Sequence, residues 1–167
     1  TGHVEVRDLS IRCAVPGKCS TFGLSVFRAP SATISNVHIR GFSRGIHGVS
    51  DNLTVRNNYL QGTGVDNFGG RGIFAANPLA VIVGRLENLE ITDNRIDNFF
   101  RGIVADTYLN ALISENALFG VPQAIFLQNI DRNLEVSENF INGADVGIYG
   151  NLALFTPTFD PIGNTPD

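Results

Sequence analysis

The segment ALISENALFG, residues 111–120, decides how the rest of the chain is read. Its apolar residues Leu112, Ile113, Leu118 and Phe119 fit neither a helix stripe nor an uninterrupted alternating strand, and Asn116 sits at its centre. Five other segments share its pattern: VEVRDLSI at 4–11, ATISNVHI at 32–39, LTVRNNYL at 53–60, LEITDNRI at 89–96 and LEVSENFI at 134–141. With ALISENAL at 111–118, all six read apolar-x-[Val/Ile]-x-x-x-x-[Ile/Leu]. Their central residues Val6, Ile34, Val55, Ile91, Ile113 and Val136 are separated by 28, 21, 36, 22 and 23 residues. Gaps near 22 with two longer ones describe a single repeat that carries loop insertions.

A second set of landmarks advances with the first: RGI at 44–46, 71–73 and 101–103, then QAI at 123–125 and VGI at 146–148. Each period therefore holds one Gly-Ile strand and one Leu-x-Val strand. Self-similarity at this period means stacked supersecondary units, and short β-branched runs separated by Gly and Asn indicate strands, not helices. In four of the six segments the residue three after the central Val/Ile is Asn: Asn58, Asn94, Asn116 and Asn139. Asn tolerates the left-handed backbone needed to bend a strand, and amides stacked coil upon coil can hydrogen-bond in a ladder. Asn116 thus reads as a corner residue. Leu9 and Val37 occupy this position in the first two segments, so the ladder is expected only in the later coils.

Phase, turn asparagine and Gly-Ile strand recurring together resemble the right-handed parallel β-helix family, the pectin-lyase-like superfamily, over residues 4 to 150. The resemblance implies an all-β fold: a single right-handed parallel β-helix solenoid of about six to seven coils, residues 1–150, with an Asn ladder at one corner. Residues 151–167 form an irregular tail and a candidate cap. At roughly 4.8 Å per coil the stack would span about 30 Å. Activity does not follow, because the superfamily includes polysaccharide lyases, hydrolases, epimerases, phage tailspikes, adhesins and inert scaffolds. The end strands of such a stack expose unpaired edges, and no amphipathic helix precedes Val4. Either a cap has been removed or that edge meets another chain, in a homo-oligomer or an end-to-end stack.

A length of 167 residues with 43% apolar content suits one domain, and no apolar run is long enough for a membrane span. The opening TGHVEV reads as a mature product or an excerpt. A net charge of −4 argues against nucleic acid as a partner. Eleven arginines against one lysine, Lys18, favour planar recognition of carboxylates, although genomic base composition explains the skew equally well. Cys13 and Cys19 flank a Pro-Gly turn; a disulfide there would contribute about 2–3 kcal/mol and place the protein outside the cell or on its surface, whereas two free thiols are the alternative.

By the resemblance, substrate lies along the Gly-Ile strands. If Ile46, Ile73, Ile103, Ile125 and Ile148 point inward, then His47, Phe74, Val104, Phe126 and Tyr149 point outward. That column suits either sugar rings or a covering loop or subunit. Arg44, Arg71 and Arg101 stand in register beside it and require anions: Asp66, Asp97 and Asp106, or an acidic ligand. The same three aspartates are the candidates for catalysis in a hydrolase, which needs two carboxylates across the scissile bond. The family's Asn-Thr-Asp, Asp-Asp and Asp-Pro-His-Asp signatures are missing, and of its His-Gly motif only His47–Gly48 matches. A lyase would use an arginine base, with Ca²⁺ the one cofactor implied, yet no carboxylate cluster has calcium-site spacing. His3, His38 and His47 fall at unrelated phases, so no metal site is expected. The insertions at 61–70 and 77–88 are further candidate functional loops. The leading expectation is a secreted or surface-exposed domain engaging polysaccharide, possible acidic character included, through Arg44, His47, Arg71, Phe74, Arg101, Phe126 and Tyr149. The alternatives are a self-assembling filament, spike or adhesin subunit, and a polysaccharide lyase or hydrolase.

Overall fold

The computed structural model describes residues 2–15, 19–64, 69–76, 85–130, 132–151 and 165–166. These residues are all-β, and consecutive turns of the chain pair in parallel to form a nearly closed β-solenoid with three faces. Strand β1 (His3–Arg12) lies on β2 (Cys19–Arg56). A straight β2 would be about 125 Å long at 3.3 Å per residue. It bends instead where Arg28, Asn36 and Gly41 take positive φ, and so contributes to every face.

Face A carries the Gly-Ile strands: the middle of β2, then β4 (Arg71–Ala76), β7 (Arg101–Asp106), β10 (Gln123–Gln128) and β13 (Val146–Asn151). Face B carries the Leu-x-Val strands, with β5 (Leu86–Thr92), β8 (Tyr108–Ser114) and β11 (Asn133–Ser137) following β2. Face C consists of short strands: β3 (Tyr59–Gly62), β6 (Arg95–Asp97), β9 (Ala117–Phe119), β12 (Phe140–Asn142) and β14 (Thr165–Pro166). Each eight-residue segment straddles the corner marked by its asparagine position, with its first half on face B; its final Ile or Leu belongs to a separate third face, face C. The candidate cap at 151–167 lies mostly outside the described residues; Thr165 and Pro166 pair with Phe140 and Ile141 and extend face C.

Inward columns fill the core. Val55, Ile91, Ile113 and Val136 stack on face B, and Ile39, Leu60, Ile96, Leu118 and Ile141 on face C, all buried. Ile46, Ile73, Ile103 and Ile125 close face A from inside. The glycines before Ile46, Ile73 and Ile103 have a steric reason. A Cβ at Gly45 would lie 2.4 Å from the Gly72 carbonyl oxygen, and one at Gly102 only 2.3 Å from the Leu118 side chain. Face C side chains pack directly under face A because no methyl group intervenes.

The B–C corner corrects the sequence reading. Left-handed backbone occurs at Asp8, Asn36, Asn57, Asp93, Glu115 and Glu138, two residues after each central Val/Ile, and not at the ladder asparagines. The asparagines one residue later turn inward and are almost completely buried. The Asn116 amide donates to the Ile91 and Ser114 carbonyls and to Asn139 Oδ1, each at 2.9 Å. Its own Oδ1 accepts from the backbone N–H and side-chain amide of Asn94, at 3.1 and 2.9 Å. Asn58 and Asn94 repeat this geometry, and the ladder ends where the Val37 backbone N–H donates to Asn58 Oδ1 at 2.9 Å. So the corner interrupts strand pairing at a depth that water does not reach, and the amides take over its backbone groups.

A second ladder, which pattern reading missed, runs along the outside of face B through Asn52, Asn88, Asn110 and Asn133 at 2.8–2.9 Å. Cys13 and Cys19 are joined in a disulfide, with their Cα atoms 6.0 Å apart.

Asn116→Ala should lower stability by at least about 3 kcal/mol, because several buried donors and acceptors lose their partners at once. Asn110→Ala, in the outer ladder, should cost under about 1 kcal/mol since water replaces the lost amide. Urea unfolding of both variants checks this. At the same corner Asp93, Glu115 and Glu138 stack, and Asp93 foremost raises the exposed Glu115 carboxyl above its ordinary value. A raised carboxyl pKa means the folded protein holds the proton longer than the unfolded chain, so this repulsion weakens as pH falls through that range. Glu115→Gln should therefore be at least as stable as the parent at pH 7, with any advantage disappearing near pH 4.

Candidate functional site

Face A carries two stacked columns on its outer side. The first contains Arg44, Arg71, Arg101, Gln123 and Val146 in register; the second contains His47, Phe74, Val104, Phe126 and Tyr149. The structure thus brings together all seven residues expected to bind substrate. Parallel pairing places successive members about 4.8 Å apart, since each occupies the same position in the next strand.

Each arginine lies over a ring. The Arg71 guanidinium carbon is 4.1 Å from the Phe74 ring centre, that of Arg101 is 4.7 Å from Phe126, and that of Arg44 is 5.3 Å from Phe22. Arg101 Nε also donates to Gln123 Oε1 at 2.8 Å. Among the described residues none of the three arginines pairs with a carboxylate. Burial, followed by the charges of Arg101 and Arg44, works against the cationic form of Arg71 and lowers its pKa. Rings held beneath the guanidiniums offset part of the repulsion. What remains is a strip of partly desolvated positive charge, without a carboxylate partner among the described residues, on a protein of net charge −4.

The aromatic column differs from its sequence-based description. Val104 is only 3% exposed and divides it into two stacks. In one, Phe126 lies on Tyr149 at 4.9 Å, and Tyr149 is 47% exposed. In the other, His47 is sandwiched between Phe22 at 4.5 Å and Phe74 at 5.0 Å, with Phe27 edge-on at 5.9 Å. His47 is consequently 8% exposed and not solvent-facing. Phe22 and Phe27 were not foreseen. A signal existed for the first, because Phe22-Gly23-Leu24 stands 22 residues before Arg44-Gly45-Ile46 and occupies the same phase. Phe22 therefore takes the arginine position of its coil. Beside Phe27, a hollow of about 280 Å³ is lined by Arg28, Val49, Asp51 and Arg85.

Of the candidate catalytic carboxylates, Asp97 and Asp106 lie at different places in the coil. Asp97 belongs to face C, where it is buried, accepts from Arg95 Nε at 3.1 and 3.2 Å, and binds the Tyr59 hydroxyl. Burial first and this carboxylate second raise the Tyr59 pKa. Asp106 ends β7 and accepts from Asn129 Nδ2 at 2.9 Å. Asp97 ends β6 on face C and Asp106 ends β7 on face A, so the length of β7 separates them along the chain. Asp66 lies outside the described residues, as do residues 65–68 and 77–84 of the two insertions. No group of three or more His, Cys, Asp or Glu among the described residues is arranged to hold a metal ion. Comparisons with protein-family models, curated proteins and solved structures found no match.

Burial lowers the His47 pKa most strongly, and Arg71 and Arg44 lower it further, against a raising hydrogen bond to the Ala76 backbone. The folded protein thus releases the proton before the unfolded chain does. His47 contributes stability that is complete above about pH 6.5, the ordinary histidine value, and is lost as pH falls toward its folded value. His47→Gln should flatten the decline in thermal midpoint between pH 7 and pH 5, measured by circular dichroism.

Proposed function

We propose that the protein is a secreted or surface-exposed parallel β-helix domain that binds an acidic polysaccharide along face A. The single observation that carries the reading is the column Arg44, Arg71 and Arg101, held in register over aromatic rings without a carboxylate partner among the described residues. Guanidiniums at one-coil spacing match carboxylate or sulfate groups carried by successive sugars of a chain running along the solenoid axis, and exposed rings such as Tyr149 suit stacking against sugar faces. The Cys13–Cys19 disulfide accords with an extracytoplasmic home. In finer detail we assign the solenoid to the right-handed, pectin-lyase-like kind with about six to seven coils, on the strength of its repeat and Asn ladder. The separation of Asp97 from Asp106 favours binding over hydrolysis.

A second reading, self-assembly, is favoured by β1. Among the described residues only β2 pairs with it, and Val4 and Leu9 are 39% and 40% exposed. An open edge with apolar side chains can accept a strand of another chain.

Light scattering coupled to size-exclusion chromatography, with and without acidic and neutral polysaccharides, separates these readings. Binding predicts a monomer that co-elutes with an acidic glycan. Arg71→Met and Phe126→Ala should each weaken that binding at least about tenfold, as loss of a charged hydrogen-bonding or stacking partner does. Large particles in the absence of glycan, dissolved by Val4→Lys, would support assembly instead.

A further inference from the structure

Among the described residues His47 is the one buried polar group on face A whose hydrogen-bonding capacity is half used. Its Nε2 has no partner, while the ring donates to the Ala76 backbone carbonyl. Because Nε2 is the unpartnered nitrogen, the donating one is Nδ1. That bond fixes the tautomer. Neutral His47 therefore directs a bare lone pair from Nε2 into a slot walled by Phe22 and Phe27 of β2 and Phe74 of β4. The charged groups facing it are Arg44 from β2 and Arg71 from β4; Arg28, stacked on Phe27, is the next cation outward. All are positive, and no acidic group among the described residues acts on the ring.

From this geometry we infer that His47 is a concealed third anion contact of the Arg44–Arg71 pair, and that an acidic ligand seated there brings one proton onto Nε2. The inference rests on the proposed glycan-binding role of face A. A carboxylate or sulfate oxygen meets only a lone pair while His47 is neutral, so no hydrogen bond can form. With Nδ1 committed to Ala76, adding a proton is the sole way for Nε2 to become a donor. The ligand's negative charge also removes what disfavours the imidazolium, because it neutralises the two guanidiniums. Phe27, 48% exposed and meeting the ring edge-on, is the most exposed of the slot's walls.

The sign of the effect follows from linkage. In the free protein burial and the two arginines make His47 release its proton at lower pH than an ordinary histidine; in the complex it protonates at higher pH. Affinity therefore strengthens as pH falls between the bound and free values, approaching tenfold per pH unit, and levels off outside that window. Sulfate esters and arginines do not titrate between pH 5 and 8, which leaves histidine as the titrating side chain of the site.

Calorimetric titration of the full chain with oligogalacturonate and with dextran sulfate oligomers, at pH 5 to 8 in two buffers of different ionisation enthalpy, tests the proposal. The expected result is uptake of up to one proton with either polymer, lost in His47→Gln and retained in His38→Gln. In the unmodified protein, the His47 ring C–H resonance should titrate at higher pH when the polymer is present, which tests the same point without relying on a variant. Tight binding with pH-independent affinity, or undiminished proton uptake in His47→Gln, overturns the inference and leaves glycan binding standing. No binding of either polymer at any pH removes the proposed function and this inference together.

Discussion

Everything in this molecule depends on one constraint: successive coils must turn at the same phase, so that like lies on like along the axis. A parallel solenoid gains its backbone hydrogen bonds from the coil above and the coil below, and each corner is a break in that pairing. At the B–C corner the break is deep. Asn58, Asn94, Asn116 and Asn139 repair it with side-chain amides that bond both to neighbouring backbone and to each other. A corner displaced by one residue would leave these groups unpaired and turn the apolar columns outward, so the ladder fixes register as well as supplying hydrogen bonds.

The surface of face A inherits this register. Gly45, Gly72 and Gly102 allow the Leu60, Ile96 and Leu118 side chains to pack against the underside of face A. The residue before each glycine is thereby placed at the edge of the face, one strand spacing from its counterparts. Three arginines at that position cannot spread apart to relieve their repulsion. They rest on rings, yet no carboxylate among the described residues pairs with them, and burial of Arg71 makes water a poorer substitute for an anion. Face C shows the opposite arrangement. Arg95 there stacks on Tyr59 and Phe119 and is also ion-paired with Asp97. The contrast between an ion-paired arginine on one face and arginines without a carboxylate partner among the described residues on another distinguishes a packing surface from a candidate binding surface.

His47 belongs to the same logic. A histidine in a wholly apolar stack would be a simple filler, but this one lies between the rings on which Arg44 and Arg71 sit. Both arginine charges therefore oppose its protonation, in addition to burial. Glu115 illustrates the reverse case on the exposed B–C corner, where stacked carboxylates repel and solvent absorbs most of the effect.

The repeating segments, by themselves, determined the parallel stacked architecture, the two longer strand columns, the identity of the ladder asparagines and the register of Arg44, Arg71 and Arg101 on face A. Periodicity carries these because stacking makes equivalent positions chemically alike. Only the tertiary structure decided the rest. Face C went unrecognised because a three-residue strand such as Arg95–Asp97 is too short to show alternation. Left-handed backbone fell on Glu115 and not Asn116, since the corner's geometry needs the asparagine side chain inside and lets its neighbour absorb the turn. Asp97 and Asp106 proved to flank a strand from opposite ends, and His47 proved to be covered by Phe22 and Phe27. Pairing and burial of this kind depend on what the adjacent coil places against a residue, which no repeat pattern within a single coil contains.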